Sequence, residues 1–361
     1  MPRTWLPHEV EAFVAARPQW FPAEPRKVRR LGSGESYDAW LVLGPSAPAD
    51  VLGPSAPADG ADAVVLRLAR HPRAQLPADP RDEYAALHLA PPGIAARAIG
   101  LDQIADCPPG QAGPAAQQYP AMALGFVPGR VLAAADWSAG MHGHLAGVFA
   151  RLHARGFDHT GGVREVLEGS PGRAAGSRGP GVDFAAEVEG VIEHWSGRLG
   201  ASDRESWAAL HDPMRAYAVA LAPACADLRR FALIHGDPCL TNLVVDRDRP
   251  ALIDWEWARI GDPARDLAFL GGAVHAAPWY APLTDAQITA FVRAYLDAGG
   301  HGDLGSLRMR RDAWLAAEAF GVIAYLQWTR AERPGASAGW RDTAIADLLR
   351  SLAEFLRPWA R

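Results

Sequence analysis

The sequence predicts an α+β protein in two lobes, an N-terminal antiparallel sheet with a helix followed by a mainly helical C-terminal lobe. Three observations predict it. Short β-capable runs separated by turn residues fill the first 125 positions, and helical periodicity dominates from Met141 onward. Within the helical part lies one polar stretch with a hairpin pattern. It is His235-Gly236-Asp237-Pro238-Cys239-Leu240-Thr241-Asn242, followed twelve residues after Asn242 by Asp254 in Leu252-Ile253-Asp254-Trp255-Glu256. The boundary between lobes is expected near Gly125, dividing the chain into 1–125 and 126–361.

Between Asn242 and Asp254 lie two short apolar runs, Leu243–Val245 and Ala251–Ile253, joined by the charged, turn-rich Asp246-Arg247-Asp248-Arg249-Pro250. Two β-capable runs with so short a link read as an antiparallel hairpin. Such a hairpin sets the residue before its first strand beside the residue after its second, here Asn242 and Asp254, with Asp237 on the loop just upstream. An amide oxygen and carboxylates in that arrangement suit a hard cation such as Mg²⁺, which keeps waters and phosphate oxygens as its other ligands. The chemistry this fits is phosphoryl transfer, with Asp237 taking the proton of an attacking hydroxyl while Asn242 and Asp254 hold Mg²⁺ on a nucleotide. The plain alternative is a polar loop and an ordinary hairpin, since Asp and Asn are common turn residues.

At these residues the chain resembles the aminoglycoside phosphotransferase and choline kinase group, small-molecule relatives of the protein kinases. The string HGD-x-C-L-x-N is similar to the catalytic loop of some aminoglycoside phosphotransferases, and Gly261-Asp262-Pro263-Ala264-Arg265-Asp266-Leu267-Ala268 matches a recurrent segment of the wider family. The motifs that carry the resemblance lie between Leu31 and Ala268. It implies a protein-kinase-like fold, with residues 1–125 as a nucleotide-binding lobe and 126–361 as a catalytic and acceptor-binding lobe.

Taken in order, residues 7–16 show a short helical pattern with Val10, Phe13 and Val14 on one side, ended by Pro18. Val28–Leu31 reads as a first strand and Ala39–Leu43 as a second, with Gly32-Ser33-Gly34-Glu35-Ser36-Tyr37-Asp38 between them. The resemblance gives Ser33, Gly34 and Ser36 to the nucleotide phosphates, because glycines let backbone N–H groups approach closely. A plain hairpin turn would look the same. VLGPSAPAD then occurs twice, at Val42–Asp50 and Val51–Asp59. It is too short and too rich in Pro, Ala and Gly for a solenoid unit, and reads as an expanded connection, exposed and mobile. Ala63–Ala69 is a buried-strand pattern broken by Arg67, a charge that is costly there unless paired. In kinases a lysine at this place reaches the phosphates and pairs with a helix glutamate. Here Lys27, the chain's one lysine, precedes the glycine loop, so the resemblance gives the place to Arg67 and the partnership to Glu83, on the helix opened by Pro80-Arg81-Asp82. An edge strand with an outward Arg67 is the alternative. Residues 91–118 are Pro/Gly/Ala-rich and include a loop at Asp106–Gly113, and Tyr119–Gly125 reads as the last strand. Gly125 and Phe126 open a connection whose backbone is expected to bond an adenine edge.

In the second lobe, Met141–Gly156 contains His142, His144 and His153. The first two are two apart, hence on different helix faces, and His153 reads as structural. Thr160–Val182 reads as a flexible loop, and helical patterns resume at Phe184–Leu199 and Asp203–Arg230. By resemblance these form much of the acceptor site, to which Glu187, Glu189, Glu193 and Glu205 offer negative charge or else present a solvated face. Asp266 is expected to buttress the catalytic loop by accepting its N–H groups. Helical patterns at Thr284–Gly299, Leu307–Arg330 and Trp340–Leu356 complete the chain, with Trp314, Trp328 and Trp340 packing the core or rimming the acceptor pocket.

The 361 residues are 49% hydrophobic and 21% charged, ordinary for a globular protein with a substantial core, and the formal charge of −5 argues against a general nucleic-acid binder. Three widely spaced cysteines indicate neither a disulfide framework nor a zinc pattern. No signal peptide or membrane span is apparent, so a cytoplasmic protein is the expectation. The resemblance implies transfer of the γ-phosphoryl of ATP, with Mg²⁺, to a hydroxyl of a small acceptor. An aminoglycoside-like antibiotic leads, and an amino alcohol or hydroxylated metabolite follows. A catalytically silent nucleotide-binding module is the reading of a different class, and Asp237, Asn242 and Asp254 argue against it.

Overall fold

A computed structural model of the chain describes residues 2–22, 27–45, 62–105, 118–169, 182–226, 228–332 and 338–360. Most of the tandem nonapeptide, the stretch 106–117 and most of the expected loop after Thr160 lie outside them. The chain opens with helix α1 (Pro7–Ala15) and strands β1 (Lys27–Ser33), β2 (Tyr37–Leu43) and β3 (Ala63–Ala69). Helix α2 (Pro80–Leu89) precedes β4 (Ala98–Ala105), β5 (Gln118–Gly125) and β6 (Arg130–Val131). Helix α3 (Ala139–Leu152), strand β7 (Gly156–Phe157) and helices α4 (Val163–Leu167), α5 (Phe184–Ser196), α6 (Ala201–Ala208) and α7 (His211–Ala226) follow. Next come β8 (Phe231–Ile234), β9 (Leu243–Asp246), β10 (Arg249–Leu252) and β11 (Arg259–Gly261). Helices α8 (Pro263–Ala268), α9 (Asp285–Asp297), α10 (Leu304–Glu332) and α11 (Ala338–Leu356) end the chain.

Two compact units form, one from Met1–Val131 with Val244–Ala258, the other from Leu132–Leu243 with Arg259–Arg361. The first is built on a five-stranded antiparallel sheet in the order β1-β2-β3-β5-β4. Its apolar residues alternate between faces, as the strand period requires. Trp40, Val42, Leu66, Leu68, Ala121 and Ala123 pack with Val10, Phe13 and Val14 of α1, while Leu41, Leu43, Ala63, Val65 and Phe126 gather separately. Asp79 caps α2 by accepting from the Arg81 N–H at 3.0 Å, and Pro80 follows at the first helical position, where a missing N–H costs nothing. The β9–β10 hairpin is in place, and β6 joins it through Arg130↔Val245.

Strand β4 lies in the Pro/Gly/Ala-rich stretch 91–118, where the sequence predicts no strand, while the expected loop at Asp106–Gly113 lies outside the described residues. β4 pairs with β5 along its length, with a register shift between Ala98 and Gly100. A Cβ at Gly100 would lie 2.1 Å from the Trp20 ring, so the glycine there makes room for an indole rather than a turn.

The second unit is helical around a small sheet, β11-β8-β7. The stretch read as Asp203–Arg230 is two helices, with Pro213 in the first turn of the second, where a missing N–H costs nothing, and Pro223 inside it. Trp207 fills the junction, stacked on Phe320 at 4.7 Å and donating to its carbonyl at 2.9 Å. Among the described residues no helix is long and apolar enough to cross a membrane.

Candidate active site

In the first unit a single guanidinium collects the charges. Arg67 lies on β3, between β2 and β5 rather than at an edge, and donates to Glu83 of α2 and, at 2.7 Å, to Asp254 Oδ1. The Tyr37 ring stands 4.3 Å from it. Burial works to lower the Arg67 pKa, but Glu83 and Asp254 outweigh it and hold the group above its ordinary value. Asp254 follows β10 in the left-handed region, φ 64°, which Asp tolerates better than most residues. Beside it Glu256 hydrogen-bonds Ser36, and burial, with the Asp254 charge, pushes its carboxyl up to about 7. Nothing local in the sequence marks Glu256 or Tyr37 as part of this cluster.

The Gly-containing turn joins β1 to β2, closed by the Gly34 N–H donating to the Tyr37 carbonyl at 2.8 Å. Ser33 Oγ donates to Asp38 at 2.6 Å, and Asp38, fully buried, also receives Arg30 at 2.6 Å. The hydroxyls of Ser33 and Ser36 therefore already bond carboxylates. Gly125 and Phe126 spend their N–H groups on the carbonyls of Arg97 and Ala63, at 2.8 and 3.1 Å.

In the second unit the catalytic-loop string is held from behind. Asp266 of α8 accepts the N–H groups of His235 and Gly236 at 2.8 and 2.9 Å and faces His153 Nε2 at 3.1 Å. His153 in turn meets the Tyr295 hydroxyl at 3.2 Å. These buried partners fix the loop, and Gly236, at φ +85°, supplies the turn that other residues resist. Asn242 Nδ2 donates to both the carbonyl and the Oδ2 of Asp237, each at 2.9 Å. That leaves the Asn242 amide oxygen, a donor atom of the kind Mg²⁺ takes. Among the described residues no cluster of three or more His, Cys, Asp or Glu could hold a metal ion. Mg²⁺ often needs no such cage, since nucleotide phosphates and waters supply most of its shell.

Charged side chains from distant parts of the chain continue from Asp237. The buried Tyr280 phenol is pushed up by burial and by the carboxylates of Glu318 and Asp237. Glu318 of α10, held above its ordinary value by burial, has Arg265 at 3.4 Å as its ion-pair partner. Burial and the Arg265 charge depress Arg259, while Glu187 and Glu165 pull it the other way. Of the four glutamates singled out in the sequence, Glu187, itself exposed, is the one whose charge acts on Arg259 and Glu318. Glu189 pairs with Arg215 at 2.6 Å, and Glu193 and Glu205 are exposed. Trp314 is core, its indole N–H on Asp262 at 3.0 Å, and Trp340, 43% exposed, meets Trp279 edge-on at 5.3 Å.

The family model of the phosphotransferase enzyme family (APH) matches residues 27–309, most of the 361. The chain belongs to this family. Solved structures give its protein-kinase-like fold. A choline/ethanolamine kinase family protein from Mesorhizobium loti is 16% identical with a TM-score of 0.55, covering 97% of this chain and 99% of that one. A thermostable mutant of the aminoglycoside phosphotransferase APH(4)-Ia, in ternary complex with AMP-PNP and hygromycin B, is 17% identical at TM-score 0.55, covering 95% and 98%. An ethanolamine kinase from Plasmodium vivax is 12% identical at TM-score 0.58, covering 92% and 84%. A search of the curated proteins finds no match. As a member of this phosphotransferase family the chain is a small-molecule kinase, and at these identities its acceptor is not inherited from any one relative.

Proposed function

We propose that the protein transfers the γ-phosphoryl of ATP to a hydroxyl of a small, amine-bearing acceptor, with an aminoglycoside-like molecule as the first candidate. The observation that carries this is the Asp237 loop: its carboxylate is set by Asn242 Nδ2 and its backbone by Asp266. Asp237 orients the acceptor hydroxyl and takes its proton as the phosphorus–oxygen bond forms. Asn242, through its amide oxygen, and Asp254 are the residues to hold Mg²⁺, which neutralises charge on the nucleotide phosphates when bound. Arg67, kept in place by Glu83, and the turn of Ser33, Gly34 and Ser36 serve the nucleotide, and Gly125 and Phe126 begin its base-binding connection. Because Ser33 and Ser36 bond carboxylates, the turn's contribution would come from backbone groups. The acceptor's amines are read by Glu318 and Glu187, carboxylates set among the guanidiniums of Arg265 and Arg259.

A second reading, a small amino alcohol, is favoured by the aromatic pair Trp279 and Trp340. The Trp279 carbonyl accepts from the Leu240 N–H at 3.0 Å, so the pair adjoins the loop that carries Asp237. Indole faces attract alkylammonium groups. Nucleotide consumption against a panel of aminoglycosides, amino alcohols and uncharged alcohols tests both. Asp237→Asn should lower kcat on the accepted substrate by about 10²–10⁴-fold while nucleotide affinity stays near wild type. Retention of most of kcat by this variant would remove Asp237 as the base, and absence of turnover on the whole panel would favour a silent nucleotide-binding module.

A further inference from the structure

The β1–β2 turn is fixed at its stem by its own strands. Asp38 receives Ser33 and Arg30, and just beyond β3 Arg70 donates its N–H to the Ser36 carbonyl at 2.8 Å and its Nη1 to the Gly34 carbonyl at 2.5 Å. Two further contacts run from the end of the turn to the cluster around Arg67. The buried Ser36 hydroxyl donates to the Glu256 carboxylate. The Tyr37 ring, 6% exposed, stands 4.3 Å from the Arg67 guanidinium. The β2–β3 register makes this second contact. Ala39 is paired with Arg67 and Tyr37 with Ala69, so Tyr37 lies diagonally from Arg67 on one sheet face, and the methyl of Ala39 leaves the ring room to reach across. All of these residues belong to the first unit.

Glu256 and Asp254 sit on one short piece of chain. Trp255 between them is buried, and its indole N–H donates to the Leu252 carbonyl at 3.0 Å, so the two carboxylates move together. Arg67 donates to Asp254 at 2.7 Å. An ionised carboxylate only accepts, so Glu256 has no hydrogen bond to offer a phosphate and acts through Ser36. A nucleotide whose phosphates reach both the backbone donors of the turn and the Arg67–Asp254 pair needs the two at a fixed spacing. We infer that Glu256 and Tyr37 are positioning residues that set this spacing, Glu256 by tying Ser36 to the Asp254 segment and Tyr37 by tying the turn to Arg67. This rests on the nucleotide reading proposed above and deepens it.

Calorimetric titration of the full chain with AMP-PNP in the presence of Mg²⁺ tests this. Glu256→Ala should weaken binding by about threefold to tenfold, the worth of one hydrogen bond. Glu256→Gln, whose amide oxygen still accepts from Ser36, should bind within about twofold of wild type. Ser36→Ala should lose as much as Glu256→Ala, and the double variant no more than either, since one contact is removed twice. Tyr37→Leu should weaken binding by about threefold or more, and Tyr37→Phe, which keeps the ring, should restore it. A merely structural role would lower the melting temperature without this pattern of rescue. The inference fails if Glu256→Ala or Tyr37→Leu binds as wild type, or if the losses of Ser36→Ala and Glu256→Ala add. It fails too if Glu256→Gln binds as weakly as Glu256→Ala, because the charge of Glu256 would then matter rather than its contact with Ser36, as for a metal ligand. A wild-type chain that does not bind AMP-PNP overturns the nucleotide reading itself, and this inference with it.

Discussion

Arg67 is the point where sequence and structure constrain each other most tightly. A guanidinium in a central strand is costly unless its charge is met, and here Glu83 and Asp254 both meet it. Arginine suits this double role because its planar fork serves two carboxylates at once, which the point charge of a lysine does less well. Removing either partner leaves a buried charge behind, so the effects of Arg67→Ala and Glu83→Ala overlap. A double-mutant cycle on unfolding free energy should give a coupling of about 1–3 kcal/mol, and strict additivity would mean that the two groups do not hold each other in solution. Glu256 supplies a pH signature of the same cluster. Folded, its carboxyl keeps its proton to about pH 7, against an ordinary value of 4.5. The folded state therefore binds more protons than the unfolded chain between those values. The contribution is full below about pH 4.5 and is lost as pH rises through about 7. In metal- and nucleotide-free protein, Glu256→Gln should flatten the fall in stability across that window by about 1–3 kcal/mol, measured by urea unfolding at several pH values. An unchanged slope would place the titration elsewhere.

At the scale of elements, legibility followed the length and purity of the pattern. β2, β3 and β5 announce themselves because their apolar runs, broken in β3 by Arg67, are long and end at turn residues. β4 does not, because Gly100, Asp102 and Gln103 break its alternation, and its pairing with β5 and the seat it gives Trp20 are tertiary facts. β6 and β7, two residues each, are too short to carry any period. The site divides the same way. Asp237, Asn242, Asp254 and Asp266 lie within one stretch of chain whose spacing is itself the signal. Tyr280 and Glu318 join Asp237 from far along the sequence, and no local pattern marks them. Gly129 shows how a short element is nevertheless fixed. It has φ +125°, and a Cβ there would sit 2.6 Å from the Val245 carbonyl oxygen, against backbone that has no room to yield. Gly129→Ala should therefore destabilise the β6–β9 pairing by about 1–3 kcal/mol, read as a lowered midpoint in thermal or urea unfolding. A wild-type midpoint would mean that the β6 junction shifts without cost.

For the whole molecule the decisive quantity is charge. Relatives of 12–17% identity share the fold across nearly the full chain, yet they are kinases of different acceptors, so specificity must rest on features that the fold does not determine. Net charge cannot supply it, because −5 spread over 361 residues is weak and a pocket responds to its nearest groups. The carboxylates of Asp237, Glu318, Glu187 and Glu165, which share their surroundings with Arg265 and Arg259, are a stronger candidate. A polycationic acceptor drawn to those carboxylates gains attraction that salt screens over roughly 10 Å at 0.1 M. Its KM should rise between low and physiological salt, while the KM of an uncharged alcohol, if any is accepted, stays level. Glu318→Gln removes one of the four charges from beside Tyr280 and should raise the amine acceptor's KM and reduce its salt dependence. Nucleotide KM should move little if Glu318 serves the acceptor as proposed. A salt-insensitive KM together with a Glu318→Gln variant of wild-type KM would remove the carboxylates from acceptor recognition. The aromatic pair Trp279 and Trp340 would then be the feature to test, since attraction of an alkylammonium to indole faces depends far less on ionic strength.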